Sequence, residues 1–338
     1  MVLVTGGTGF LGSYLICDLL LEGFQVRALK RNTSSLAEFN MITDCRLGSE
    51  KSRLLSALQW VEGDITDPFS LEEAMKGIKH VYHTAAIVSF QPGDKKQLIK
   101  VNVEGTANIV NACLSEKVEK LCHVSSTAAV GKSEGNAIIT EEAEWNDSAD
   151  NSNYAVSKYL AEMEVWRGIE EGLNAVVVNP GIIVGAGDWN SGSAELFKQG
   201  YKGLFAVTKG VTGYVDVKDV STAMIMLMKS EISGERFLLI SENHNFYEFF
   251  KMISEKFGKK PTMFIASRWQ SEIAWRLSAF KTLFGKKAFI TRETARSSQN
   301  SDRFSSSKFI KATGFKFNTI KEAINDSCET FKSVYDLS

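Results

Sequence analysis

The chain has 338 residues, 39 Lys and Arg against 40 Asp and Glu, and a formal net charge of −1, with 44% hydrophobic and 23% charged residues. That balance excludes a disordered chain and a broadly basic nucleic-acid binder, and the length allows one large domain or two of common size. Cys17, Cys45, Cys113, Cys122 and Cys328 form an odd set with no C-x-x-C pair, and the four histidines are scattered without ligand spacing. No metal site is expected, and a reduced, cytoplasmic compartment is. No basic stretch precedes the first apolar run, and Leu11–Leu21 is broken by Asp18. Neither a signal peptide nor an integral membrane segment is expected.

The first half alternates strands and helices. Val2–Thr5 reads as a strand and Leu11–Glu22 as a helix closed at Gly23. Gln25–Lys30 and Leu58–Glu62 are the next strands. Asp67 and Pro68 open a helix that runs to Met75, with Asp as the cap and Pro at the first helical position. Val81–Thr84, Leu121–Ser125 and Ala175–Val178 are strands separated by the helical runs Lys96–Ser115 and Tyr154–Glu171. This rhythm predicts an α/β fold with a parallel sheet covered on both faces. After Pro180 the pattern changes to Gly-rich loops and isolated elements, ending in two amphipathic helices over Lys308–Val334. We read residues 1–180 as a dinucleotide-binding domain, to which about 210–230 return. Residues 181–338 read as mostly a smaller substrate domain.

Thr5-Gly6-Gly7-Thr8-Gly9-Phe10-Leu11-Gly12 joins the first strand to the first helix. Gly6 permits the tight turn, Gly9 lets a pyrophosphate approach the backbone, and Gly12 lets helix and sheet pack closely. The helix N-terminus supplies free N–H groups and the positive end of the dipole. Thr8, Phe10 and Leu11 complete the loop. The second strand ends in Lys30-Arg31-Asn32 with no acid for a ribose 2′-hydroxyl. Two adjacent cations suit a 2′-phosphate, so NADP(H) is expected, with NAD(H) left open. Asp64 and Ile65 follow the third strand and are candidates for the adenine edge. Thr84-Ala85-Ala86 ends the fourth with small side chains that leave room for a ribose.

Tyr154 and Lys158 stand at i and i+4 on one helical face. A phenol with a pKa of about 10 is a poor base at neutral pH. A neighbouring ammonium and a cationic nicotinamide ring would lower it. Tyr154 could then exchange a proton with an alcohol or carbonyl, and Lys158 could also bond the nicotinamide ribose. Y-x-x-x-K occurs three times. Tyr214 and Lys218 lie on an alternating strand pattern, where i and i+4 are about 13 Å apart. Tyr247 and Lys251 lie on a later helix. Only Tyr154 follows a strand ending in Ser125-Ser126-Thr127, where a hydroxyl can donate to a substrate oxygen.

With these stretches, Asn102-Val103-Glu104-Gly105-Thr106, Asn179-Pro180-Gly181 and Tyr214-Val215-Asp216-Val217-Lys218-Asp219, nearly the whole chain resembles the extended short-chain dehydrogenases/reductases. These are also called the NAD-dependent epimerase/dehydratase family, and the resemblance implies a Rossmann-type doubly wound parallel sheet with a smaller C-terminal α/β substrate domain. The resemblance implies a catalytic Ser/Thr at Thr127, with Ser125 and Ser126 lining the cofactor. It also implies that the backbone of Asn102 supports Lys158, and that Pro180-Gly181-Ile182-Ile183 cups the nicotinamide amide. Ala128 and Ala129 follow Thr127 where the family's dehydratases carry acids. Val130-Gly131 and Thr212-Gly213 lack the Tyr and Arg usual in sugar-nucleotide epimerases. The pattern is closest to the dihydroflavonol-reductase and 3β-hydroxysteroid-dehydrogenase branch. It implies an NADP(H)-dependent oxidoreductase that interconverts a carbonyl and an alcohol on a small, fairly apolar substrate. An epimerase on tightly bound cofactor and a non-enzymatic dinucleotide sensor are the alternatives.

Val88-Ser89-Phe90-Gln91 and Asp188-Trp189-Asn190 are expected to line the substrate pocket, through Ser89, Phe90 and Trp189. Ile265, Trp269, Ile273, Leu277, Phe280 and Phe284 form an apolar stripe at helical spacing, with Arg268, Arg276, Lys281, Lys286 and Lys287 around it. It reads as a core-facing helix over the cleft; a face on a membrane surface is the other reading. Beyond its substrate, the expected partner is a second copy, paired through Lys96–Ser115 and Tyr154–Glu171.

Overall fold

Val2, Leu3 and Val4 are buried on both sides of their strand, as a continuous apolar run requires at the centre of a covered sheet. The computed structural model describes residues 1–132, 137–148, 150–261, 264–282 and 291–337, with the backbone alone for 279–282. Seven parallel strands form the main sheet: β1 (Val2–Thr5), β2 (Val26–Lys30), β3 (Leu58–Glu62), β4 (His80–His83), β5 (Lys120–Val124), β6 (Ala175–Pro180) and, from beyond the small sheet's first two strands, β9 (Glu235–Leu239). Their order is β3-β2-β1-β4-β5-β6-β9, with Thr5 paired to His83 and Val4 to Ala28. The chain therefore reverses its direction of travel between β1 and β4, which opens a crevice at the carboxyl ends of those two strands.

One face of the sheet is covered by the helices Phe10–Leu21, Ala37–Leu47 and Val217–Lys229. The other carries Pro68–Met75, Gly105–Ser115 and Asn153–Glu170. Asp67 caps the first of these as expected, accepting from Phe69 N at 3.2 Å. A second sheet joins β7 (Ile182–Val184) and β8 (Val211–Asp216) in parallel, and β8 to β10 (Glu242–Asn245) in antiparallel. Its core gathers Phe197, Tyr214, Phe249, Phe250, Ile253, Ile324 and Phe331.

Several elements differ from the sequence reading. The run Lys96–Ser115 is helical but not uniform. Ile99–Glu104 winds as a π-helix between Lys95–Leu98 and Gly105–Ser115. Such a bulge turns a helix face by a fraction of a turn and is common beside functional sites; here it contains Asn102. Lys218 is not on a strand: β8 ends at Asp216, whose carboxylate accepts from Lys218 N at 2.9 Å and starts a helix there.

The stripe on Arg268–Thr282 does not face a core. Trp269 is 63% exposed, Ile273 48% and Leu277 64%. The side turned inward presents Ser271 and Ser278, which are buried but contribute little apolar surface. The underlying core is already filled from the other helices. Phe284, Lys286 and Lys287 lie outside the described residues, and the side chains of Phe280 and Lys281 are not described.

Candidate active site

The glycine loop sits at the crevice between β1 and β4. Gly6 has φ +72°, and a Cβ there would lie 2.7 Å from Ala85 N. The loop therefore crosses directly over the end of β4, and only Gly allows both the angle and the approach. A Cβ at Gly12 would stand 2.2 Å from Gly6 O, so the first helical turn packs on the loop's own backbone. At Gly9 an added Cβ would meet only Gly6 O, at 3.5 Å, which leaves that face open. Gly9 caps the helix without any side-chain bond, and the first turn carries no acid. An uncapped, acid-free helix start beside an open glycine face fits a dinucleotide pyrophosphate. Thr8 is half-buried in the loop, and Leu11 packs into the main core. Phe10 turns its ring edge to Tyr14, at 5.5 Å between centroids, and touches the backbone at Gly185 and Gly187.

A cavity of about 300 Å³ adjoins this crevice at the end of β2, lined by Arg31, Asn32, Thr33, Glu62, Gly63, Asp64, Asp67 and Ser70. Arg31 is exposed and Lys30 half-buried. Asp64 Oδ1 is engaged by Thr66 N at 2.8 Å and Thr66 Oγ1 at 2.9 Å. Ile65 is placed differently. Its side chain is buried against Gly105, and its carbonyl accepts from Asn108 Nδ2 at 2.9 Å, so it supports the cavity from beneath. Thr84 Oγ1 donates to Thr5 O at 2.7 Å, and Ala85 and Ala86 follow half-buried and exposed.

Three segments meet around Tyr154. Ser152 Oγ accepts from Ala155 N at 3.0 Å and starts the helix Asn153–Glu170. The Ser126 hydroxyl lies near the Tyr154 phenol and favours its ionised form, and Ser126 Oγ accepts from Ala128 N at 3.1 Å. The Phe90 ring meets the Tyr154 ring edge-on at 5.5 Å. Thr127 begins a short 3₁₀ turn, Thr127–Ala129. Ser126 is thus the hydroxyl that acts on the phenol in the structure, with Thr127, the position the resemblance marks, next to it in the chain. Ser89 Oγ turns to Asp94.

Lys158, 2% exposed, donates to Val124 O at 2.8 Å. Burial pulls its ammonium down to about 8, while the Glu162 carboxylate pulls the other way. The expected lowering of the phenol by Lys158 does not appear. Burial holds Tyr154 above the ordinary phenolic value, and the bond to Ser126 opposes it. Desolvation of the phenolate wins because no full positive charge here offsets it.

Asn102 reaches the site through its side chain rather than its backbone. Its Oδ1 accepts from Ile87 N at 2.8 Å, and its Nδ2 donates to Ile87 O and Ser157 Oγ, each at 3.0 Å. Ser157 Oγ in turn donates to Tyr154 O at 2.8 Å. Asn102 therefore clamps the loop carrying Phe90 to the helix carrying Tyr154. Pro180-Gly181-Ile182-Ile183 crosses from β6 to β7, where a Cβ on Gly181 would lie 2.3 Å from Gly213 O. Trp189 does not join the site. Its ring is 7% exposed and packs against Tyr201, Phe257, Phe331 and Tyr335 inside the small domain's core. A large aromatic in a Gly-rich loop can serve either purpose, and its many ring contacts here take it inward.

Sequence reasoning missed Glu162, which is fully buried. It accepts from Ser125 Oγ at 2.6 Å, Asn179 Nδ2 at 2.7 Å, Trp166 Nε1 at 3.2 Å and Arg236 at 3.2 Å. Its spacing was the available signal: Tyr154, Lys158 and Glu162 fall at i, i+4 and i+8.

Among the described residues no group of His, Cys, Asp or Glu is placed to hold a metal, and no helix is long and apolar enough to cross a membrane. The family model for the NAD-dependent epimerase/dehydratase family matches residues 2–239. The chain belongs to that family. It is an NAD(P)-dependent enzyme of the oxidoreductase and epimerase type. It is 30% identical over 277 residues to sterol demethylase protein B of Methylococcus capsulatus, covering 80% of this chain and 79% of that protein. It is 28% identical to a bifunctional dihydroflavonol 4-reductase/flavanone 4-reductase of Pyrus communis, covering 78% and 79%. The crystal structure of gox2253 superposes with a TM-score of 0.82 at 29% identity, over 100% of this chain and 99% of that one.

Proposed function

We propose that the protein is an NADP(H)-dependent oxidoreductase that interconverts a ketone or aldehyde with its alcohol on a small, fairly apolar substrate. Tyr154 is its acid/base. The observation that carries this reading is the meeting of the Tyr154 hydroxyl with Ser126 beside the Phe90 ring, on the helix that also holds Lys158. The reductase relatives support the direction of the chemistry.

A bound nicotinamide dinucleotide supplies or takes up the hydride. The glycine loop and the open helix start hold its pyrophosphate, and Arg31 and Lys30 meet its 2′-phosphate. Ser126 or its neighbour Thr127 donates a hydrogen bond to the substrate oxygen and steadies its developing charge. Tyr154 Oη gives that oxygen a proton in reduction and takes one in oxidation. A phenol held above its ordinary value is fully protonated at neutral pH, which suits the acid role. Lys158, whose ammonium donates to Val124 O, would bond the nicotinamide ribose of the bound dinucleotide. Phe90 covers the phenol with apolar surface and limits the entry of water.

The test is a panel of ketones and aldehydes assayed by NADPH consumption, with the wild type and Tyr154→Phe side by side. A turned-over substrate whose rate falls by about a thousandfold in the variant supports the assignment. An unchanged rate on that substrate removes Tyr154 from the chemistry.

A further inference from the structure

Five large apolar side chains stand exposed on two adjoining segments of the small domain. Trp269, Ile273 and Leu277 repeat every four residues along Arg268–Thr282, so they share one face. Phe264 and Phe205, 43% and 88% exposed, lie at the foot of that helix with their rings 5.7 Å apart. The backbone joins the two segments: Val207 N donates to Phe264 O at 3.1 Å, and Ala266 N to Val207 O at 2.7 Å. An apolar area of this extent is uncommon on a protein that meets only water.

The charge around it is one-sided. From Lys259 to Leu277 the described residues place four exposed cations, Lys259, Lys260, Arg268 and Arg276, against one acid. That acid, Glu272, is already engaged by Arg276 at 2.8 Å and Arg296 at 3.4 Å. Lys202 and Lys209, both exposed, flank Phe205 on its own segment. Aromatic and aliphatic side chains on one helical face, with basic residues beside them, are what a headgroup–acyl boundary accommodates. The helix is also tied toward the active site. Arg296 joins it to Asp150, and Glu293 accepts from Asn153 Nδ2 at 3.2 Å, next to Tyr154.

We propose that this face docks on an anionic lipid surface, with Trp269, Ile273, Leu277, Phe264 and Phe205 seated among the acyl chains and the surrounding lysines and arginines on the lipid phosphates. The proposal does not depend on the hydride-transfer reading.

The test is co-sedimentation of the full chain with vesicles of phosphatidylcholine alone and with about one third phosphatidylglycerol. Binding is expected to the anionic vesicles only, and to fall steeply as salt is raised. Trp269→Glu combined with Leu277→Glu is expected to weaken it at least about tenfold. So is Lys259→Glu combined with Lys260→Glu and Arg268→Glu, a second variant that leaves the apolar residues intact. Both alter exposed side chains, and the melting temperature should stay within about 2 °C of the wild type. Absence of wild-type binding to anionic vesicles overturns the proposal. Binding that both variants retain also overturns it. A solution dimer that Trp269→Glu with Leu277→Glu dissolves would assign the face to a second copy instead.

Discussion

Glu162 stands one helical turn beyond Lys158, and its carboxylate opposes the burial that would otherwise strip the ammonium of its proton. The same carboxylate takes hydrogen bonds from Ser125 and Asn179, the latter of which also donates to Ser126 O at 3.0 Å. One buried anion thus governs the charge of Lys158 and the position of the strand end that meets Tyr154.

Glu162→Gln keeps the shape but removes the charge. Lys158 then falls further below about 8, and more of it is neutral at pH 7.5. In NADPH-dependent reduction, the alkaline limb of the kcat/KM profile should move to lower pH by roughly one unit. Loss of the charge opposite Arg236, which keeps its bonds to Glu141 O and Ala143 O, should also cost about 2 kcal/mol of stability, read by urea unfolding. A variant that unfolds more easily but gives a superimposable pH profile would leave Glu162 a purely structural role.

Arg31 lines the cavity at the end of β2 and is exposed, so its guanidinium is free to turn toward a 2′-phosphate. Glu62, Asp64 and Asp67 share that cavity and oppose an added anion. The proposed preference for NADPH over NADH therefore rests on Arg31 and Lys30. Arg31→Ala should raise the dissociation constant for NADPH roughly tenfold or more and leave that for NADH within about twofold, by isothermal titration or fluorescence quenching. Equal effects on both cofactors would mean that Arg31 meets the common part of the molecule. Tighter NADH binding by the wild type would reverse the cofactor assignment.

The parts of this site that were readable in advance are those where one residue type has one use. Glycines that must bring backbone against backbone betray the loop at Gly6 and Gly12. Apolar runs buried on both faces betray β1 and β6. Tyr154 and Lys158 were readable by helical spacing. The misreadings fall where the same residue types serve opposite environments. Trp189 and Trp269 are both large aromatics near loops. One fills a core and the other faces outward, and only the competition for core volume separates them. Asn102 acts through its side chain because the π-helix turns it toward Ile87 and Ser157, a local winding that the apolar pattern of Lys96–Ser115 does not encode.

His83 and His123 lie on neighbouring strands with their rings 5.1 Å apart, both wholly buried. Thr106 Oγ1 donates to Asn102 O at 2.6 Å, so it accepts from His83 Nε2, and His83 Nδ1 accepts from Thr5 Oγ1 at 2.7 Å. His123 has no partner on either ring nitrogen. Burial, with the Lys158 ammonium nearby, pulls His83 down to about 3 and His123 well below its ordinary value. Both are neutral in the folded protein, whereas in the unfolded chain they titrate near 6.5. Their depressed values make folding favourable above pH 6.5. That contribution is lost as pH falls below 6.5, because only the unfolded chain takes up the protons. Each histidine should approach about 1.4 kcal/mol per pH unit toward the acid end of that range. His123→Leu removes one of the two protons and an unpaired polar ring at little change in volume. Urea unfolding at pH 7, 6 and 5 should show the variant gaining on the wild type by about 0.7 kcal/mol over the first unit and about 1.2 kcal/mol over the second. Parallel curves would mean that His123 is already charged, or already solvated, in the folded state.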